Sequence, residues 1–162
     1  MIILGIDPGL ATVGYGVITY DGRCACTDYG TIKTPKGKSL AERLVAISCA
    51  VEKLIDTYCP DAVAIEEIFF NTNAKTAINV SHARGVIICM ALRKGCKLYE
   101  YTPLQIKQGL TGYGKADKRQ VQHMVAALLS LKSLPRPDDA ADALAVALCH
   151  IQTNRFSELY RV

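Results

Sequence analysis

Three short β-rich runs, cut apart by turn signals, open the chain and narrow the available folds more than any other feature. Ile2-Ile-Leu-Gly-Ile6 is an apolar run ended by Asp7-Pro8-Gly9, a strong turn signal. Val13-Gly-Tyr-Gly-Val-Ile-Thr-Tyr20 carries β-branched and aromatic residues and closes on Asp21-Gly22, a favoured two-residue hairpin turn. A third run resumes at Cys26 and stops at Lys33, just ahead of Pro35. Consecutive strands joined this tightly pair as an antiparallel meander.

The pattern then changes period. Ser39 is placed as an N-cap, with Glu42 three residues on to complete a capping box. Leu40, Leu44, Ile47, Val51, Leu54 and Tyr58 follow at helical spacing, which predicts an amphipathic helix with one buried stripe. Ala62–Glu66 reads as a strand and Ala74–Lys94 as a helix whose apolar residues cover more than one face. Such a helix is either central or shared with a second subunit. Leu98–Tyr101 is another strand, and Thr102-Pro103 opens a short helix. Gly109 to Gly114 reads as a flexible break, and Asp117 caps a helix running to about Ser130. Pro135-Arg-Pro137 separates it from a last helix, Asp138 to about Gln152. The expectation is an α/β fold over residues 1–162, a single domain with a mixed sheet of about five strands flanked by helices.

Composition excludes several classes. Half of the 162 residues are apolar, too many for a disordered chain. The longest apolar run, Gly85 to Leu92, is far short of the roughly 18–20 residues a membrane span needs. Met1 leads straight into Ile2 with no basic region, so no signal peptide is expected and the chain is assigned to the cytoplasm. The seven cysteines are scattered and none has C-x-x-C spacing, so zinc and thioredoxin-like sites are not expected. The net charge of +4 is uneven: between Thr102 and Arg136 six basic residues face the single acid Asp117, a local +5. A basic segment in an otherwise balanced chain suggests a polyanionic partner.

Acids at the ends of elements carry the chemistry. Asp7 ends the first strand, Glu66 and Glu67 end the fourth, and Asp138, Asp139 and Asp142 begin the last helix. Open α/β sheets place their sites at strand ends, where four converging carboxylates would repel unless a cation neutralised them. Oxygen ligands without histidine or thiolate indicate Mg²⁺ or Mn²⁺ rather than zinc. Alternation alone does not choose between Glu66 and Glu67, nor helical spacing between Asp138 and Asp139.

Leu4-Gly-Ile-Asp-Pro-Gly9, Gly14-Tyr-Gly16, Ala64-Ile-Glu66, His82-Ala-Arg-Gly85, Gln120-Val-Gln-His-Met124 and Asp139-Ala-Ala-Asp-Ala-Leu144, in that order, resemble the RuvC family of Holliday-junction resolvases. The resemblance implies an RNase H-like fold, a homodimer, RuvA–RuvB branch-migration partners, and Mg²⁺-dependent paired nicking of four-way DNA junctions by two metal ions per site. It places the metal-binding catalytic acids on Asp7, Glu66, Asp139 and Asp142 and important basic residues on Lys107 and Lys118. Lys115 and Arg119 belong to the same basic segment, and Phe69 is the aromatic expected to touch bases at the junction centre. His82 and Arg84 are expected to serve the long helix or a dimer contact, and His123 to pack on its own helix. Rival readings are an actin-like ATPase, for which the chain is too short, a YqgF-type nuclease, and a non-catalytic junction-binding protein.

Overall fold

The computed structural model describes residues 1–68, 74–153 and 160–162. Strands β1 (Ile2–Asp7), β2 (Thr12–Tyr20) and β3 (Cys24–Lys33) form the meander. They are followed by α1 (Leu40–Tyr58), β4 (Ala62–Glu66), α2 (Ala74–Arg93) and β5 (Lys97–Tyr101). Helices α3 (Pro103–Thr111), α4 (Lys118–Leu128) and α5 (Asp138–Thr153) complete the order. The five strands lie in the order β3-β2-β1-β4-β5. The meander is antiparallel, whereas β4 pairs parallel with β1 on one side and β5 on the other.

Strand alternation splits the core into two layers. Ile3, Ala62 and Ala64 face α3, α4 and α5, where Ile106, Leu110, Val121, Val125 and Leu148 pack. Leu4, Ile6, Val63 and Ile65 face the other way, onto Ile47 and Val51 of α1 and Ile87 and Ala91 of α2. The capping box expected at Ser39 is present, the cap expected at Asp117 proves to be a box with Gln120, and Thr102 with Gln105 makes a third.

Three local expectations are corrected. Tyr20 pairs with Cys24, so the first hairpin has a three-residue loop, with Gly22 at φ 103° in its middle. Gly109 lies inside α3 rather than in a break; the helix ends at Gly112, whose φ of 71° makes the left-handed cap. His123 is exposed, while its neighbour Gln122 is the buried polar residue of α4.

His150 sits under the sheet, 2% exposed, with its Nδ1 2.8 Å from the Tyr101 hydroxyl. Burial pushes its pKa down from 6.5 to about 4. At this residue the unfolded chain therefore binds more protons than the folded one between those values, and the contribution of His150 to stability rises with pH. Acidification through that window is expected to cost about 2–3 kcal/mol at this residue. Urea melts of His150→Leu should show a pH slope of stability more negative than that of the wild type between these limits, by up to about 1.4 kcal/mol per pH unit; an unaltered slope would show that His150 does not titrate there.

Candidate active site

The site forms where β1 and β4 end beside the start of α5. Ile6 pairs with Ile65, so the residues that follow, Asp7 and Glu66, come out side by side at the same edge. Parity sets their direction: Asp7 continues the Ile3–Gly5 face and Glu66 the Ala62–Ala64 face, both toward α5. Glu67 has left the strand, its amide donating to the Tyr101 carbonyl at 2.9 Å.

Helix α5 reaches that edge because the sheet beneath it is nearly bare. A Cβ on Gly14 would stand 1.9 Å from the Asp139 carbonyl oxygen, and one on Gly5 would stand 2.1 Å from that of Ala143. Gly16 lies under Leu144 in the same way. Asp7 pairs with Gly14 and Gly5 with Gly16, so three glycines of adjacent strands make one seat for the helix. From Ala140 to His150 every residue is buried except Asp142, which points into the cleft. An amphipathic pattern could not supply this packing; alanines do, by letting the backbone approach.

Four acids meet here. Burial, and then the charges of Glu66, Asp142 and Asp139, push the Asp7 carboxyl up to about 8, with Lys118 pulling the other way. Burial and then Asp142 push Glu66 up to about 7, against a hydrogen bond with Asp7 and the charges of Lys118 and Lys107. Burial also raises Asp142, although its carboxylate accepts a 2.8 Å hydrogen bond from Lys118 Nζ. Near neutral pH Asp7 and Glu66 share a proton, because buried like charges side by side cannot both ionise. Asp138, by contrast, pairs with Arg136, accepts a 3.2 Å hydrogen bond from Gln122 and stands 3.7 Å from Lys118 Nζ. It is thus Glu66 and Asp139, not Glu67 and Asp138, whose charges act on Asp7.

The donor set is oxygen only, which suits a hard divalent cation. Among the described residues no three acid, histidine or cysteine side chains already converge as a finished coordination sphere. Lys118 Nζ stands 2.8 Å from the Asp142 carboxylate and 3.7 Å from that of Asp138.

A cleft of about 230 Å³ opens beside the acids, lined by Glu66 and Asp142, by Lys107 of α3 and Lys118 of α4, with Ile106 and Val121 as its floor. The two expected lysines thus stand at the acids. Lys115 and Arg119 are exposed nearby, on the loop before α4 and in its first turn, and do not line the cleft. His82 is exposed on α2, and Arg84 pairs with Glu100 of β5 within the same chain. Phe69 lies outside the described residues. The glycine seat was missed by sequence reasoning, though Gly14-Tyr-Gly16 carried a signal: spacing by two puts both glycines on one face of a strand.

Residues 3–150 match the family model for the crossover junction endodeoxyribonuclease RuvC. The chain belongs to the RuvC family. The family member from Alkaliphilus oremlandii is 55% identical over 100% of this chain and 99% of its own length. The one from Rubrobacter xylanophilus is 55% identical over 96% of this chain and 88% of its own. Thermus thermophilus RuvC superposes with a TM-score of 0.93 at 36% identity, covering 100% of both chains. A second structure of that RuvC, in complex with Holliday junction substrate, gives 0.91 at 34% identity, again over 100% of both chains. The yeast mitochondrial Holliday junction resolvase Ydc2, only 12% identical, shares the fold with a TM-score of 0.65 over 97% of this chain and 83% of that one. The architecture is therefore RNase H-like, and the RuvC family relation makes the chain a nuclease.

Proposed function

We propose that this protein resolves four-way DNA junctions by hydrolysing a phosphodiester in each of two opposed strands, as one nuclease unit over residues 1–162. The convergence of Asp7, Glu66, Asp139 and Asp142 beside two lysines, in a chain of the RuvC family, carries this reading. Asp7, Glu66, Asp139 and Asp142 would hold Mg²⁺, two ions per site, with Mn²⁺ able to substitute; the raised affinity of Asp7 and Glu66 for protons supports a demand for positive charge here. Bound divalent ions lower the pKa of water and stabilise the leaving oxygen. The chain's own groups do the positioning. Asp7, facing the other three acids, occupies the centre of the set. Lys107 and Lys118 would hold backbone phosphates from the cleft wall, where Lys118 also pairs with Asp142. Lys115 and Arg119 extend the basic surface along the arms. Phe69 follows the site strand β4 and is assigned to unpaired bases at the junction centre.

Two strands cut symmetrically require two sites, and a homodimer supplies them. An apolar groove of about 260 Å³ between α1 and α2, lined by Leu44, Val45, Val86, Cys89 and Met90, supports such a contact. Val45 is 62% exposed at this groove. His82 and Arg84 lie on the same α2. RuvA–RuvB partners follow from the family relation. Unpaired cysteines throughout and a DNA substrate fit a reducing cytoplasm.

A synthetic four-way junction incubated with Mg²⁺ is expected to show nicks at matching positions in opposite strands, and to be bound but uncut in EDTA. Retarded, intact DNA in Mg²⁺ would leave a junction binder and remove the nuclease mechanism. Cuts confined to one strand would contradict the paired sites. No described helix is long and apolar enough to cross a membrane.

A further inference from the structure

The acid cluster has a second flank. On the side away from Lys107 and Lys118, a cleft of about 500 Å³ is lined by Gly9, Thr12, Lys36, Arg43, Asn79 and Asp139. Asp139 is therefore shared between the acid cluster and this space, and it is the one carboxylate among the lining residues.

Arg43 is built into the wall. Its Nε donates to Thr34 Oγ1 at 2.8 Å, and Thr34, only 5% exposed, donates the same hydroxyl to the Leu10 carbonyl at 2.6 Å. The backbone amide of Thr34 closes the unit by donating to the Ala11 carbonyl at 3.0 Å. The loop after β1, which leads out of Asp7, is thereby tied to the guanidinium. No described carboxylate pairs with Arg43 or with Lys36, whereas Arg84 and Arg136 each have an acid partner. An arginine held at Nε by a neutral oxygen and lining an open cleft has the fork that suits a phosphate.

We propose that Lys36 and Arg43, with Asn79 opposite, seat a backbone phosphate of the cleaved strand next to the scissile one. The strand then crosses the acids between two basic walls, Lys107 and Lys118 on one side and Lys36 and Arg43 on the other. Arg43 is a positioning residue: it sets where the strand lies over Asp139. The inference rests on the junction-resolving reading above and refines its substrate contact.

Binding of a four-way junction in EDTA, measured across a series of KCl concentrations, tests it. Arg43→Ala is expected to weaken binding about tenfold and to reduce the slope of log affinity against log salt by about 0.9, the loss of one phosphate contact. Lys36→Ala, at an exposed position with no folding risk, should reduce the slope in the same direction. Thr34→Val keeps the charge and removes the hydroxyl that orients it, and should weaken binding about threefold. Methylphosphonate placed one position at a time beside the scissile phosphate should cost the wild type about tenfold at one position and Arg43→Ala less than twofold there. Equal losses for both proteins at every position, or wild-type affinity and slope in Arg43→Ala and Lys36→Ala, would overturn the seat. Should Arg43→Ala melt early, the same cycle run with Lys36→Ala decides. A wild type that binds the junction no better than duplex sinks the resolvase reading instead, and the slope change on duplex still decides the seat.

Discussion

Asp7→Asn is expected to abolish junction cleavage, by at least about a thousandfold, while making the metal-free protein more stable. The first effect follows if the central acid of the cluster is a cation ligand, since about 4 kcal/mol of transition-state stabilisation corresponds to that factor. The second follows from the sign of the proton linkage. The folded protein holds Asp7 near 8 and Glu66 near 7, from ordinary values of 3.8 and 4.5. A carboxyl with a raised folded pKa contributes stability that is present below its unfolded value and is lost as pH rises through the folded one. The metal-free wild type should therefore lose stability from about pH 4 up to about pH 8. Asparagine cannot ionise and escapes the largest part of that loss, on the order of 3 kcal/mol, or roughly 5–10 °C in Tm. Melting in EDTA at pH 8 and nicking in Mg²⁺ are the two measurements. Cleavage within tenfold of wild type, or a lower metal-free Tm in the variant, would refute the assignment. Adding Mg²⁺ should stabilise the wild type and leave Asp7→Asn nearly unmoved.

Gly14→Ala should be almost as damaging, although it removes no functional group. The new Cβ would fall 1.9 Å from the Asp139 carbonyl oxygen, a backbone atom that cannot rotate away. The first turn of α5 must lift, carrying Asp139 and Asp142 off Asp7 and Glu66. Overpacking of this kind costs about 1–3 kcal/mol in stability. A displacement of about 1 Å at catalytic groups costs on the order of a hundredfold in rate. Junction binding in EDTA should change less than about threefold, because the basic walls belong to other elements. Cleavage by Gly14→Ala within threefold of wild type would show that α5 is not held by this seat.

Much of this architecture was legible in order along the chain. The meander, the capping box at Ser39, the cap at Asp117 and the acids at the ends of β1 and β4 depend on neighbours a few residues away. What escaped depends on contacts made across the fold. Glu66 and Glu67 are separated only by which face α5 covers, and that is decided by Gly5, Gly14 and Gly16. Asp138 and Asp139 differ because Gln122, from another helix, draws Asp138 away. His123 was expected to pack, but α4 is rotated so that Gln122 and Val121 turn inward. Arg43 reads in sequence as one more charge on a solvated helix face. Its meaning appears only once Thr34 and Asp139 stand beside it.

The seat that three glycines make for α5 joins residues near opposite ends of the polypeptide. Asp7 and Glu66 precede Asp139 and Asp142 in the chain, so the proposed cation site would be only half present at the sheet edge until α5 docks. A chain halted anywhere before Asp139 carries two of the four carboxylates and no helix to fill the bare groove over β1 and β2. Under the proposed mechanism, competence to cut DNA would wait until α5 has been made and has docked on its glycine seat.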